Sequence, residues 1–230
     1  FIVILVIFSM LFATIYFTNI RAFDNIKSYL YILLLFVLMF AITVLVGNRS
    51  QKLLYMVPYA VIAIYLVSFF KQKFAFPLYV LMLLPLFFLS PIGMELYFIN
   101  LAAGVILLVS NKYFNKGWLQ FINSCFIFIS LLLVYVAFRL LNNGTLSAFD
   151  SKVVFYLGCN ALFVVAAYPL VFLFEKIFSF VSTSRLFELS DTNSKLLLEL
   201  ANKAPGSFQH SLQVANMASA AARKIGGDVM

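Results

Sequence analysis

Apolar runs of bilayer-spanning length recur along almost the whole chain, and nothing else in it constrains the fold so strongly. A helix needs about 20 mostly apolar residues to cross the hydrocarbon core. Seven runs meet that need, at roughly 1–18, 28–46, 53–70, 74–91, 94–111, 119–141 and 153–178. Short polar breaks separate them: Asn19-Ile20-Arg21, Gly47 through Lys52, Lys71-Gln72-Lys73, Asn111-Lys112 and Asn142-Asn143-Gly144. The fourth and fifth runs meet at Ser90-Pro91-Ile92-Gly93, where Pro and Gly both break a helix. Pro77 and Pro85 interrupt the fourth run, so its boundaries are the loosest. Composition agrees: 64% of residues are hydrophobic and only 10% charged, against about a quarter charged in soluble domains. The expected fold class is all-α, a polytopic membrane helical bundle of seven spans over 1–181, followed by a polar tail.

Basic residues at span ends set orientation. With Phe1 on the outer side, the inner segments carry Arg21, Lys27, Lys71, Lys73, Lys112, Lys116, Lys176 and Arg185. The outer segments carry Arg49, Lys52, Arg139 and Lys152, so eight against four puts the C-terminal segment inside. The net charge of +8 suits orientation signals and anionic headgroups better than a nucleic-acid groove. No basic region precedes the first run, so no signal peptide is read. The chain opens in mid-run and stops where a helix finishes, and so reads as a piece of a longer protein.

Charges within the spans are scarce. Glu95 lies at the mouth of the fifth run, with Arg139 and Glu175 near the ends of the sixth and seventh. At such positions side chains snorkel to the interface, which is the expectation for all three. Asn100, Asn123 and Asn160 are placed to hydrogen-bond between helices. No ladder of acids marks a coupled transporter. Cys125 and Cys159 both fall inside apolar runs and read as small packing residues.

After Val181 polar and charged residues interleave with Leu and Ala. Ser182-Thr183-Ser184 caps a short helix through Leu189, and Ser190-Asp191 caps a second from Thr192 to about Lys203. Pro205-Gly206 stops it. Ser207 is the N-cap candidate for a last helix with apolar residues at Phe208, Leu212, Ala215, Ala218, Ala222 and Ile225. Arg223 and Lys224 suit its last turn, and Gly226 its left-handed end. This tail is too small to bury a core of its own. It holds the one histidine of the chain, His210, expected in the first turn of the last helix. On spacing alone, a lone His near a helix start is an ordinary polar residue, without metal-ligand partners around it.

The flanks of that histidine change its reading. The stretch from Arg185 to Gly226 closely resembles the junction of the seven-transmembrane HD (HDIG) hydrolases, which include PgpH-type cyclic-di-AMP phosphodiesterases. The resemblance rests on Glu188-Leu189-Ser190-Asp191, the Leu-rich helix, Lys203-Ala204-Pro205-Gly206, and His210-Ser211-Leu212 followed by Val214-Ala215-Asn216. It implies connector helices over 182–203 and the start of an HD phosphohydrolase domain over 204–230. It further implies that His210 is the first metal ligand of a site holding two divalent transition-metal ions, iron or manganese. Gln209 stands where the family often has a second His. The His-Asp pair that names the family has no counterpart in this chain. The resemblance thus implies metal-assisted phosphodiester hydrolysis in a bacterial inner-membrane protein, with this chain alone inactive and holding no metal tightly. The implied partners are the lipid bilayer and a cyclic-dinucleotide substrate, with a homo-oligomer open and no nucleic acid. Two other classes compete. A sensor histidine kinase also joins a membrane bundle to helices bearing one His, but there an acid usually follows the His, and here Ser211 does. A non-enzymatic receptor or channel with a docking tail fits the spans equally well.

Overall fold

A computed structural model of the chain describes residues 2–17, 26–114, 118–144 and 150–225. Every regular element among them is helical. Two compact units divide the chain, 1–180 and 181–230.

In the first unit, α1 (Ile2–Phe17) and α2 (Ile26–Arg49) come first. A short 3-10 helix (Gln51–Met56) and α3 (Val61–Phe69) then share the third apolar run. The fourth run holds α4 (Gln72–Leu83) and α5 (Pro85–Leu89). The long helices α6 (Gly93–Phe114), α7 (Leu119–Asn143) and α8 (Ser151–Phe178) complete the bundle. Six stretches among the described residues are long and apolar enough to cross a membrane, from Ile26–Arg49 to Ser151–Phe178. The first run forms α1, whose 16 residues reach about 24 Å at 1.5 Å per residue. The break expected at Asn19-Ile20-Arg21 lies outside the described residues.

Two runs are less regular than their composition predicts. The third, expected as one helix over 53–70, is interrupted between Met56 and Val61. Pro58 accounts for this: it lacks an amide N–H and pushes Val57 into extended backbone (φ −73°, ψ 120°). The fourth kinks at Leu84, and Pro85 restarts it at a first helical position, where a missing N–H costs nothing. Elsewhere helices outrun the expected breaks. α6 continues through Asn111-Lys112 to Phe114, because neither residue is a strong helix breaker. α7 ends where expected, with Gly144 left-handed (φ 67°) and its N–H on the Leu140 carbonyl.

α6 lies against α3, α4, α5 and α7, and α8 packs on α7 and on the 3-10 helix. The interrupted third run is as deeply buried as the fifth, with Leu54, Ala60, Ala63 and Leu66 fully enclosed. Large apolar side chains such as Leu45, Phe121, Leu141 and Phe155 point outward. In a bilayer that surface meets lipid, so packing and polar ties between helices, rather than burial from water, specify the bundle.

Among the described residues, the second unit holds three helices. α9 (Thr183–Leu189) is capped by Ser182, whose hydroxyl oxygen accepts the Arg185 N–H at 3.2 Å. α10 (Lys195–Lys203) starts three residues later than the expected Thr192. The Asp191 carboxylate instead accepts the Asn193 N–H (3.0 Å) and its carbonyl the Ser194 N–H (3.1 Å), so a local turn wins and Ser194 becomes the N-cap. α11 (Pro205–Lys224) starts two residues before the expected cap Ser207, because Pro205 takes the first helical position. Arg223 and Lys224 stand in its last turn, and Gly226 lies outside the described residues. No residue of α10 or α11 is buried, and Leu196, Val214 and Met217 are open.

Candidate functional site

His210 is the sixth residue of α11, in its second turn rather than its first, and its side chain is exposed. Ala204 breaks the backbone between α10 and α11 (φ −142°, ψ 67°). They therefore form an angled pair rather than the continuous helix of a kinase dimerisation hairpin. A two-metal centre needs several donors held in fixed geometry. Among the described residues no group of three or more His, Cys, Asp or Glu side chains comes together. The residues present offer a single imidazole, do not fit a binuclear centre by themselves, and route no reaction step.

The first unit carries a polar network that the sequence reading only half anticipated. Glu95, expected to snorkel, is buried, with its side chain 7% exposed. Arg139, expected to do the same, reaches it from α7. One terminal nitrogen, Nη2, donates to both Glu95 oxygens at 3.1 Å and to the Tyr55 hydroxyl at 3.4 Å. The guanidinium also lies over the Tyr135 ring, 4.9 Å from its centre. The physical reason is low dielectric: a lone charge inside the bundle is costly, and a partnered one much less so. Glu95 additionally sits in the first turn of α6, where the helix dipole favours an anion.

The same end of the bundle holds further ties. Lys52 Nζ meets Asp150 Oδ2 at 2.7 Å, and Asp150 caps α8 by accepting the Lys152 N–H at 3.0 Å. The Lys52 hydrogen bond, then the Lys152 amide, hold the Asp150 carboxyl below its ordinary range. Asn160 answers the break in the third run: its amide donates to the Tyr55 carbonyl (3.0 Å) and the Val57 carbonyl (2.8 Å). The amides that restart α3 are satisfied as well, Val61 on Pro58, Ile62 on Tyr59 and Ala63 on Ala60. The break therefore offers no free helix end to an ion or substrate.

The other expected asparagines divide. Asn123 does bridge helices, accepting from Ser110 at 2.8 Å and donating to Tyr168 at 3.3 Å. Asn100 does not: its side-chain amide donates to Leu96, within its own helix, while its backbone carbonyl accepts the Tyr79 hydroxyl. Both cysteines are free, and Cys125 is exposed on the apolar surface rather than packed inside. Tyr55 and Tyr135 were not singled out from sequence. Their signal, two tyrosines within apolar runs that carry one acid and one arginine, becomes readable only once those runs are known to touch.

The bundle thus buries an acid against an arginine, and the polar helical tail bears an exposed histidine. The chain belongs to the family described as 7TM receptor with intracellular HD hydrolase, which matches residues 1–182. It is a multi-pass membrane protein. Among its relatives, the cyclic-di-AMP phosphodiesterase PgpH of Listeria monocytogenes is 40% identical over 100 residues, covering 42% of this chain and 14% of that protein. PgpH of Bacillus subtilis is 30% identical over 106 residues, 44% of this chain and again 14% of the relative. An uncharacterised Synechocystis protein is 51% identical over 51 residues, 22% of this chain and 6% of its own length. The chain thus matches about one-seventh of the length of either PgpH protein. No solved structure matches it.

Proposed function

We propose that this chain is the membrane-sensing portion of a metal-dependent cyclic-dinucleotide phosphodiesterase whose substrate is cyclic di-AMP. The catalytic domain begins at 204, and His210 is its first metal ligand. The observation that carries this reading is continuity: the receptor family matches through residue 182, and the helices bearing the Lys203–Asn216 motif follow directly. The names of the PgpH relatives support the substrate. The excess of basic residues at one set of span ends supports a cytoplasmic tail in a bacterial inner membrane.

Two divalent ions, iron or manganese, would lower the pKa of the attacking water and neutralise charge on the phosphate. His210 supplies one donor, and its exposure on α11 leaves it open to a metal whose other ligands lie beyond residue 230. This chain alone therefore holds no metal tightly and hydrolyses nothing. Metal analysis and cyclic di-AMP turnover, run on residues 1–230 and on the full-length parent, test the reading. Metal and turnover in the parent alone are expected; stoichiometric metal and turnover in the short chain contradict it.

Signal transfer runs through the connector. Only four residues, 179–182, separate α8 from α9. A flexible Gly-Ser insertion after Val181 uncouples hydrolysis from the state of the bundle, and unchanged regulation in that variant counts against the mechanism.

A further inference from the structure

The last membrane helix does not simply run off its end. Its cap residue, Ser179, is left-handed (φ 56°, ψ 38°), the one non-glycine residue with positive φ among the described residues. A residue with a Cβ is disfavoured in that region, so other contacts must hold the turn. The Ser179 and Phe180 amides both donate to the Glu175 carbonyl, which closes the helix and reverses the chain. The reversal brings Phe180 back onto Phe178, with the rings stacked 5.6 Å apart.

Both rings close on Tyr31 of α2, which is fully buried. The Tyr31 ring lies 5.2–6.1 Å from those of Phe69, Phe70, Phe174, Phe178 and Phe180. Four of the five meet it edge-on. Its hydroxyl donates to the Tyr65 carbonyl of α3 at 3.0 Å. Side chains from α2, from α3 and its cap, from α8, and from beyond the α8 cap therefore meet at one point. Phe180 is also the last residue of the membrane unit.

We infer that this six-ring cluster is a transmission joint: it sets the direction in which the chain leaves the bundle and carries displacements of α2 or α3 to the start of the tail. A cluster that only filled space would need no residue beyond the helix end. This one recruits Phe180 against the backbone preference of Ser179. Edge-on ring contacts depend on angle as well as distance, and close-packed interiors shift between arrangements rather than deforming smoothly. A change in α2 against α3 thus moves Phe180 instead of being absorbed. The geometry stands by itself, while its consequence for hydrolysis rests on the proposed phosphodiesterase reading.

The test uses the full-length parent in lipid nanodiscs, with timed tryptic cleavage after Arg185 and Lys195 read beside cyclic di-AMP turnover. Phe180→Ala raises cleavage after Arg185 about tenfold by populating an open joint, with helical content unchanged. Tyr31→Phe, which keeps the ring and loses the bond to Tyr65, gives a smaller rise. Ser179→Gly relaxes the backbone, keeps every ring, and leaves cleavage at the wild-type rate. If Phe180→Ala fails to fold, Phe180→Leu is read in its place, with the same direction expected. Wild-type cleavage in the folded Phe180 variant overturns the joint. Raised cleavage with no turnover even in the wild type leaves the joint standing and defeats the phosphodiesterase reading instead. Raised cleavage with wild-type turnover and regulation overturns its role in transmission.

Discussion

Glu95 and Arg139 show what a low-dielectric setting asks of two charges. Each alone near a span end has water within reach; together they are drawn inward and share two oxygens, one nitrogen and a tyrosine hydroxyl. Glu95→Gln leaves the arginine without its anion, and a loss of about 3 kcal/mol is expected from a broken buried pair. Thermal melting in detergent micelles measures it. Replacing both by apolar residues, Glu95→Leu with Arg139→Met, restores stability to within about 1 kcal/mol, because neither charge is then left buried. Gly93 is a second constrained position. A Cβ there would run into the Leu86 carbonyl oxygen, a backbone atom that cannot give way. Gly93→Ala should cost about 1–3 kcal/mol. Gly158→Ala, whose nearest neighbour would be a Phe128 ring atom at 3.8 Å, should stay within about 0.5 kcal/mol. Sequence put Glu95 and Arg139 at the right span ends but expected both to reach for water. Nothing local says that two ends 44 residues apart meet.

At the scale of elements, the apolar runs were legible because backbone in hydrocarbon has few solutions: helices form wherever the run is long enough. What escaped was their interior. Pro58 carries the signal for the break in the third run, but reading the run by hydropathy alone passes over it. Asn160 shows how the break is tolerated, by donating to the two carbonyls nearest it. Asn160→Leu should raise amide exchange over 57–63 about tenfold by freeing those carbonyls, measured by hydrogen–deuterium exchange. Unchanged exchange would mean that packing alone holds the break. Asp150 gives a pH dependence at the start of α8. Its carboxyl is held below the ordinary range by Lys52 first. A depressed folded pKa stabilises above the unfolded value and is lost as pH falls through the folded one. Acidification therefore loosens this cap. Asp150→Asn should remove that acid-side decline from the melting curve, by a small margin because Lys52 is exposed and Asp150 only half-buried. In the tail, helix starts moved by two or three residues because Asp191 bonds a local turn and Pro205 prefers a first helical position. Both are short-range contests that composition does not settle.

For the whole molecule, the membrane unit and the tail answer different questions. The bundle pairs Glu95 with Arg139 and Lys52 with Asp150, ties the break in its third run through Asn160, and leaves an apolar outer surface to lipid. The tail packs α10 on α11 yet buries none of their residues. His210 is proposed as a ligand on its flanks rather than its surroundings, since among the described residues no group of three or more His, Cys, Asp or Glu side chains comes together. The family match covers the membrane unit, so the weight of the functional account falls on this one side chain. The most direct measurement is cyclic di-AMP turnover together with bound iron and manganese, in purified full-length parent and in its His210→Ala variant. Metal content should fall, and turnover should drop by about a hundredfold or more, as for loss of a ligand that positions a catalytic metal. Undiminished metal and turnover in His210→Ala would contradict the account.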